Sequence, residues 1–467
     1  MVARGAPILG ESASANVATT DARDRTLRAG AAVFWAAAIF YGAWLIWRAF
    51  LPLEIDYDEA WNAWQAQVAI GGAQPLYPGP DALITNNYPP LSFYLLGMGA
   101  RVTGIDLILL GRLVSLLGLG ACAGAVAVIV RQLGGSRPAA GLGAAWYLAT
   151  MVRHCSGYVG MNDPTLLALG MMAWALALFV HRHQTGRSTD VAVLLMVAAG
   201  FVKHSLLATP ATALAWLWLE GDYRKAARAT LVGVLAAGAA LAACVGAFGW
   251  AFAQQLFLYK RSYSLRLLWE WRQLLMIGIA LACGLLSTWR RRTPETRLVF
   301  VFLVIGLSVF TLCRAGEGVD VNAAFELILA TAIALALALD RLDATWFDKW
   351  LSPQAVRWAL LAGLIATLLH APDPRPYLFW ISPGFHQATT RRARAAEAEI
   401  AHVRTLPGRV FCTTATVCFR AGKSFVYDEF AIYQRVVTGV WADAERTRKL
   451  ASARIRMEAG TDVAAWN

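Results

Sequence analysis

Long apolar runs recur almost without pause from residue 31 to residue 370, separated by short polar or basic joints, and a water-soluble fold has no interior large enough to bury them all. Crossing a bilayer takes roughly 17 to 25 apolar residues, fewer where other helices shield the segment. By that measure about eleven spans are expected, near 31–53, 107–130, 138–152, 163–180, 191–204, 206–219, 229–248, 274–289, 298–313, 323–339 and 354–370. With 58% hydrophobic and 15% charged residues, the composition excludes a soluble globular enzyme. The expected fold class is an all-α polytopic membrane protein.

The net charge of +12 resides mostly in clusters between the apolar runs, which points to cytoplasmic retention of positive loops and away from nucleic acid. Arg23, Arg25 and Arg28 precede the first run. The later clusters are Arg131 with Arg137, Arg182 with Arg187, Arg224 with Lys225 and Arg228, Arg290 to Arg292 with Arg297, and Arg341 with Lys349. If eleven spans start from a cytoplasmic N-terminus, every one of these clusters falls on the cytoplasmic side. Residues 1–30, polar and rich in Ala and Ser, then read as a disordered cytoplasmic tail, and 31–370 as the transmembrane domain. Residues 371–467 turn soluble in composition and read as an outer C-terminal domain of small α/β type, with a strand-like run GRVFCTTATVCF and a helix around Asp443 to Met457. Within that run Cys412 and Cys418 can pair only if a turn separates them.

On this topology the stretch 54–106 is the first outer loop. It places Glu54, Asp56, Asp58 and Glu59 within six residues, beside the hydrocarbon layer, where carboxylates are costly unless water or a substrate meets them. Capping of a following helix by Asp58 and Glu59 is the simpler reading, but four acids exceed what capping needs. Trp61, Trp64, Val68 and Ile70 follow at helical spacing, as in an interfacial helix with aromatic anchors. The chain then turns at glycines and prolines and re-enters apolar sequence through Tyr88, Pro89 and Pro90.

Other polar residues fall on the same side. Lys203 and His204 interrupt the apolar stretch 191–219, as at the apex of two half-length helices, where a lysine either snorkels to the surface or meets a phosphate. Asn162 and Asp163 precede Pro164, which fits a helix start, and Asp163 or Arg153 could equally line a shared cavity. Arg314, Glu317, Asp320, Asn322 and Glu326 form a polar knot between two spans. Arg314 suits anion binding, and a plain ion pair of Glu326 with Arg314 or Lys203 is the alternative. No metal-ligand cluster, phosphate loop or serine triad is present, so neither a metal nor a cofactor is expected.

Together, DYDEAWNAWQAQ, GGAQPLYP, NYPPLSFYLLG, GRLVSLLG, NDPTLLALGMMAWAL, FVKHSLLATP and GEGVDVNAAFELILATAIAL resemble the GT-C glycosyltransferases, the polytopic class of the protein O-mannosyltransferases and the lipid A aminoarabinose transferases. The tail from Leu406 to Trp441 resembles the outer module of bacterial members. The resemblance implies a bacterial inner-membrane enzyme with a periplasmic C-terminal domain. It would move a sugar from a polyprenyl-phosphate donor to a hydroxyl of a lipid, glycan or protein acceptor, with inversion. It maps the general base onto Asp58, with Glu59 beside it, and the second acidic position onto Asp163. Asp56, Tyr88, Lys203, His204, Arg314, Glu317 and Asn322 become substrate-binding candidates, although His204 stands where a polar uncharged residue is more usual. A flippase for a lipid-linked glycan is the alternative. It would need internal repeats and charges at mid-membrane, and here the charges gather at one face.

Overall fold

Helices α1 (Leu9–Ala49), α2 (Asp58–Gly71), α3 (Leu91–Thr103), α4 (Leu107–Gln132), α5 (Arg137–His154), α6 (Thr165–Gln184) and α7 (Asp190–Val202) make up the first half of the chain in the computed structural model. They are followed by α8 (Ala208–Leu219), α9 (Tyr223–Phe248), α10 (Trp250–Phe257), α11 (Arg272–Leu275), α12 (Gly278–Arg290), α13 (Pro294–Arg314), α14 (Phe325–Asp340) and α15 (Pro353–Leu369). The structure describes residues 9–72, 74–269, 272–342, 351–370, 373–453 and 455–458. Lys349 of the last basic cluster and the first eight residues lie outside the described residues.

Helices α1, α4 to α9 and α12 to α15 occupy the apolar stretches singled out above. Among the described residues, six helices are long and apolar enough to cross a membrane. The protein is a multi-pass membrane protein. Helix α1 is longer than its apolar run, because the stretch expected as a disordered tail is helical from Leu9. Its polar turns are not loose: Leu27 is fully buried, and Gln354 of α15 donates to Ala22 O at 3.3 Å and bonds Thr26.

Helix α14 is buried along its whole length and forms the axis of the bundle, whereas α9 buries only Ala226 and Ala229 and lies at the rim. Close packing elsewhere depends on missing side chains. A Cβ on Gly118 of α4 would come within 2.5 Å of the Leu166 carbonyl oxygen of α6, so the two backbones touch there.

The bundle has two chemically distinct ends. At one, the basic clusters meet short acidic partners: Arg228 pairs with Asp190 at 2.6 Å, Arg297 with Glu220 at 2.8 Å, and Asp340 accepts from Ser136. At the other end the acidic stretch, the break between α7 and α8, the loops 257–264 and 314–322, and the C-terminal segment come together. That segment comprises α16 (Arg375–Ile381), α17 (Pro383–Thr405), β1 (Val410–Cys412), α18 (Ala415–Arg420), α19 (Glu429–Val437), α20 (Asp443–Ser452) and β2 (Arg456–Glu458). The two strands pair in parallel, Val410 against Arg456. The run expected as one strand is therefore strand β1 followed by helix α18. Thr413 and Thr414 supply the turn, and Cys412 and Cys418 are disulfide-bonded with Cα atoms 5.7 Å apart.

Helix α2 departs from expectation in its surroundings. Trp61 and Trp64 are buried, at 5% and 9% exposure, against Tyr77, Phe93, Leu96 and Phe252. The expected headgroup anchors are thus covered by the return segment and α10. Gly72, at φ 65°, ends the helix in a conformation that costs other residues energy.

Gly118→Val is expected to force α4 from α6 and lower stability by about 1 to 3 kcal/mol, the usual cost of overpacking. Gly120→Val, on the same helix with nothing within 4 Å of the added Cβ, should be tolerated. Thermal melting of the two variants in detergent, followed by size-exclusion chromatography, would show the difference.

Candidate functional site

Glu59 begins the site and does not act at its surface. It is fully buried, and both its oxygens meet Arg112 of α4, Oε1 from Nε at 2.7 Å and Oε2 from Nη2 at 2.6 Å. Ile55 N donates to Oε2 at 2.9 Å and Asn162 N to Oε1 at 3.0 Å, so the carboxylate is saturated. Arg112 also donates to the carbonyls of Ala49, Leu51 and Leu53, at 3.2, 2.8 and 2.6 Å. These carbonyls belong to the end of α1 and the turn after it. A single guanidinium therefore sets the path of the chain into α2. Gly111 makes room for this arrangement, since its Cβ would fall 1.7 Å from Asn162 Oδ1.

With Glu59 anchored, Asp58 one residue earlier faces the opposite way, into a cavity of about 230 Å³. Asp56, Tyr88, Tyr158, Tyr259, Arg261 and Asp320 share its lining, and Asp428 and Phe430 of the C-terminal segment close it. Burial, followed by the neighbouring carboxylates of Asp56 and Asp163, pushes the Asp58 carboxyl up to about 7, with Lys203 pulling in the other direction. Burial likewise raises Asp56, and it pushes Asp428 up to about 6.

Behind the cavity wall, Lys203 ends α7 and is 3% exposed. Its Nζ lies 3.4 Å from Asp163 Oδ2 and 3.5 Å from the centre of the Tyr88 ring. Asp163 also accepts from Thr165 N at 2.7 Å at the start of α6; it is not among the residues lining the polar cavity and instead partners the lysine behind it. The residue after Lys203, His204, lines a second, apolar cavity of about 390 Å³ with Pro89, Met196, Phe201, Pro210, Leu241 and Phe257. The polar and apolar cavities therefore adjoin at one adjacent pair, Tyr88 lining the first and Pro89 the second.

The residues of the polar knot go separate ways. Asp320 reaches the polar cavity. Glu326 pairs with neither Arg314 nor Lys203. It accepts from Ala208 N at 2.9 Å and from Thr209 N and Oγ1, both at 2.7 Å, satisfying the open N-terminus of α8 inside the bundle. Arg314 bonds the Val319 carbonyl and closes its own loop, and it is not among the residues lining the cavity. Glu317 joins Ser262, Tyr433 and Gln434 in a clasp that holds α19 over the site. Asn322 lies on a short 3-10 turn, Val321–Ala324. Arg153 is remote from the cavity, donating to the Leu368 and Asp373 carbonyls at 2.9 and 3.0 Å.

No protein-family model matches the chain, and no curated protein matches it in sequence. Solved structures do match. ArnT from Cupriavidus metallidurans in the apo state aligns over 90% of both chains with a TM-score of 0.57 at 15% identity. Bound to undecaprenyl phosphate, it aligns over 87% of both chains with a TM-score of 0.59 at 14% identity. The chain has the GT-C fold. The oligosaccharyltransferase AglB from Archaeoglobus fulgidus, in complex with an inhibitory peptide and a dolichol-phosphate, aligns over 93% of this chain and 69% of its own, with a TM-score of 0.53 at 11% identity.

Of the candidates read from the sequence, this GT-C fold gathers Asp56, Asp58 and Tyr88 in one cavity with Lys203 and Asp163 behind it. Glu59, Arg314 and Glu317 bond to other parts of the protein outside that cavity's lining. Besides the lining aromatics Tyr158, Tyr259 and Phe430, two cationic residues escaped the sequence reading. Arg112 is a lone charge inside an apolar run, a signal that a buried partner must exist. Arg261 lies in a loop on the acidic side, where the cationic Lys260–Arg261 pair breaks the charge bias of the topology.

Glu59→Gln or Arg112→Met, each leaving one buried charge alone, is expected to cost about 3 to 5 kcal/mol. The double variant should recover part of that loss. Denaturation of the three variants, read as a double-mutant cycle, measures the coupling.

Proposed function

We propose that the protein is a membrane glycosyltransferase that takes a sugar from a polyprenyl-phosphate donor and passes it to a hydroxyl of an envelope acceptor. The observation that carries this reading is the junction of the two cavities. A lipid-linked sugar needs an apolar cavity beside a polar one that holds a base and a cation, and here the two adjoin at Tyr88–Pro89, with Asp58 and Arg261 in the polar lining and Lys203 packed against Tyr88. The fold is shared with ArnT and AglB, whose structures hold undecaprenyl phosphate and a dolichol-phosphate.

In this mechanism the prenyl chain lies against Pro89, Met196 and Phe201, and the phosphate sits near Arg261 and Lys203. Asp58 accepts the proton of the acceptor hydroxyl as its oxygen attacks the anomeric carbon. The carbon–oxygen bond to the phosphate breaks on the opposite face, inverting the centre, and the leaving phosphate keeps the electron pair. Cations in a poorly hydrated site stabilise that charge as it develops. Asp56, Asp320 and Asp428 are placed to accept hydrogen bonds from sugar hydroxyls. Phe430 and Asp428, both from the C-terminal segment, bring that segment into acceptor selection. The acidic end is the periplasmic face of the inner membrane in this reading, and the basic end faces the cytoplasm.

Asp58→Asn keeps the shape and removes the base, so transfer should fall by about 10²- to 10⁴-fold with donor binding retained. Because Asp58 must be ionised to accept a proton and its carboxyl is raised to about 7, wild-type kcat/KM should rise tenfold per pH unit below that value and level off above it. Turnover near wild type in Asp58→Asn, measured with the lipid-phosphate sugar that accumulates in a deletion strain, would remove Asp58 as the base.

Arg261→Met and Lys203→Met should each raise the donor KM with little change in acceptor KM, since each removes a cation from beside the phosphate. Arg314→Met should change neither. An unaltered donor KM in both cavity variants would reassign those cations to structural pairing.

Alkaline phosphatase fused at Gly422 should be active and at Arg292 inactive. The reverse pattern would put the acidic end in the cytoplasm, where a lipid-linked donor loses its rationale.

A further inference from the structure

At the basic end, between α1 and α5, an open groove of about 970 Å³ lies far from the catalytic cavity and has no part in the mechanism above. Arg28, Arg131 and Arg137 stand along it, and among the described residues Asp24 is the one carboxylate in its lining. That carboxylate is already engaged, 2.9 Å from Arg23, and lies 3.8 Å from Arg28. Arg28 is 67% exposed, and Arg131 bonds the Gly135 carbonyl through one of its nitrogens. The rim therefore carries a surplus of positive charge turned outward.

The order of residues along α1 places that rim in depth. Arg28 ends the polar turns and Ala31 opens the apolar run, so the arginines sit where phosphate headgroups meet hydrocarbon. Trp35, two turns further into the apolar run and 43% exposed, continues the groove wall opposite Gly141 of α5. A cationic rim above an apolar trough complements a molecule with an anionic head and an apolar chain.

We propose that this groove binds one anionic phospholipid, with its phosphate at Arg28, Arg131 and Arg137 and an acyl chain along Trp35 and Gly141. A zwitterionic lipid is disfavoured, because its ammonium would be brought to the same guanidinium groups. Neighbouring basic side chains at a membrane face each favour an anionic headgroup by an amount equal to about a fivefold change in affinity.

Full-length protein purified in detergent and stripped of lipid tests this by titration with phosphatidylglycerol or phosphatidylcholine of matched chains, with bound lipid counted by native mass spectrometry. Phosphatidylglycerol should bind at least tenfold more tightly, and Arg28→Gln and Arg137→Gln should each weaken it about fivefold. Gly141 offers a variant independent of charge, since a Cβ there meets nothing within 4 Å. Gly141→Phe should fill the groove, leave thermal stability unchanged and remove the tight phosphatidylglycerol site. Equal affinity for the two lipids would overturn the proposal, as would phosphatidylglycerol retained by a stable Gly141→Phe. Competition by soluble glycerol phosphate at equal concentration would identify a free-phosphate site and overturn the lipid assignment.

Discussion

The buried pair of Glu59 and Arg112 is the contact on which the rest of the acidic end depends. Taking two ions out of water costs several kcal/mol each, and attraction offsets that only when every remaining polar atom is also satisfied. Here the offset is complete. The guanidinium serves one carboxylate and three carbonyls, and the carboxylate takes two backbone N–H groups besides the arginine. Because those partners come from the continuous stretch Ala49 to Glu59, from α4 and from the loop before α6, one pair of side chains joins three stretches distant in sequence.

That anchorage has a direct chemical consequence. A helix fixed at its second residue has no freedom to turn its first, so Asp58 is held facing the cavity while Glu59 is held away from it. Two adjacent carboxylates thus acquire opposite roles from environment alone: one is neutralised by an arginine, and the other is raised by burial and by nearby acids. The C-terminal segment completes the chamber through similar contacts. Glu54 accepts from Thr416 N at 2.7 Å at the start of α18, and the Ser262–Glu317–Gln434 clasp holds α19 above Arg261.

The division into a polar chamber and an apolar channel arises from the interruption of one hydrophobic hairpin. Where α7 stops at Val202 and α8 resumes at Ala208, unpaired backbone groups inside a membrane need acceptors, and Glu326 supplies them for α8. The break places His204 in the apolar cavity and turns Lys203 toward Asp163 and Tyr88 behind the polar one. A glutamate that looked like a partner for a cation is in fact what allows the hairpin to break there.

The sequence by itself determined what depends on local chemistry. Apolar run length located the helices, the charge bias separated the two ends, and the density of acids in residues 54–59 pointed to the polar cavity that Asp56 and Asp58 line, because hydrophobicity and charge act residue by residue wherever the chain goes. Lys203 and Asp163 were legible for the same reason, each being a charge in an apolar context. Which of two adjacent acids faces the cavity was not legible, nor that Arg261 belongs there and Arg314 does not, nor that Trp61 and Trp64 pack against protein. Those outcomes were decided by the tertiary structure. Such contacts are made between residues from 40 to 362 positions apart, and no periodicity along the chain records which of them will meet.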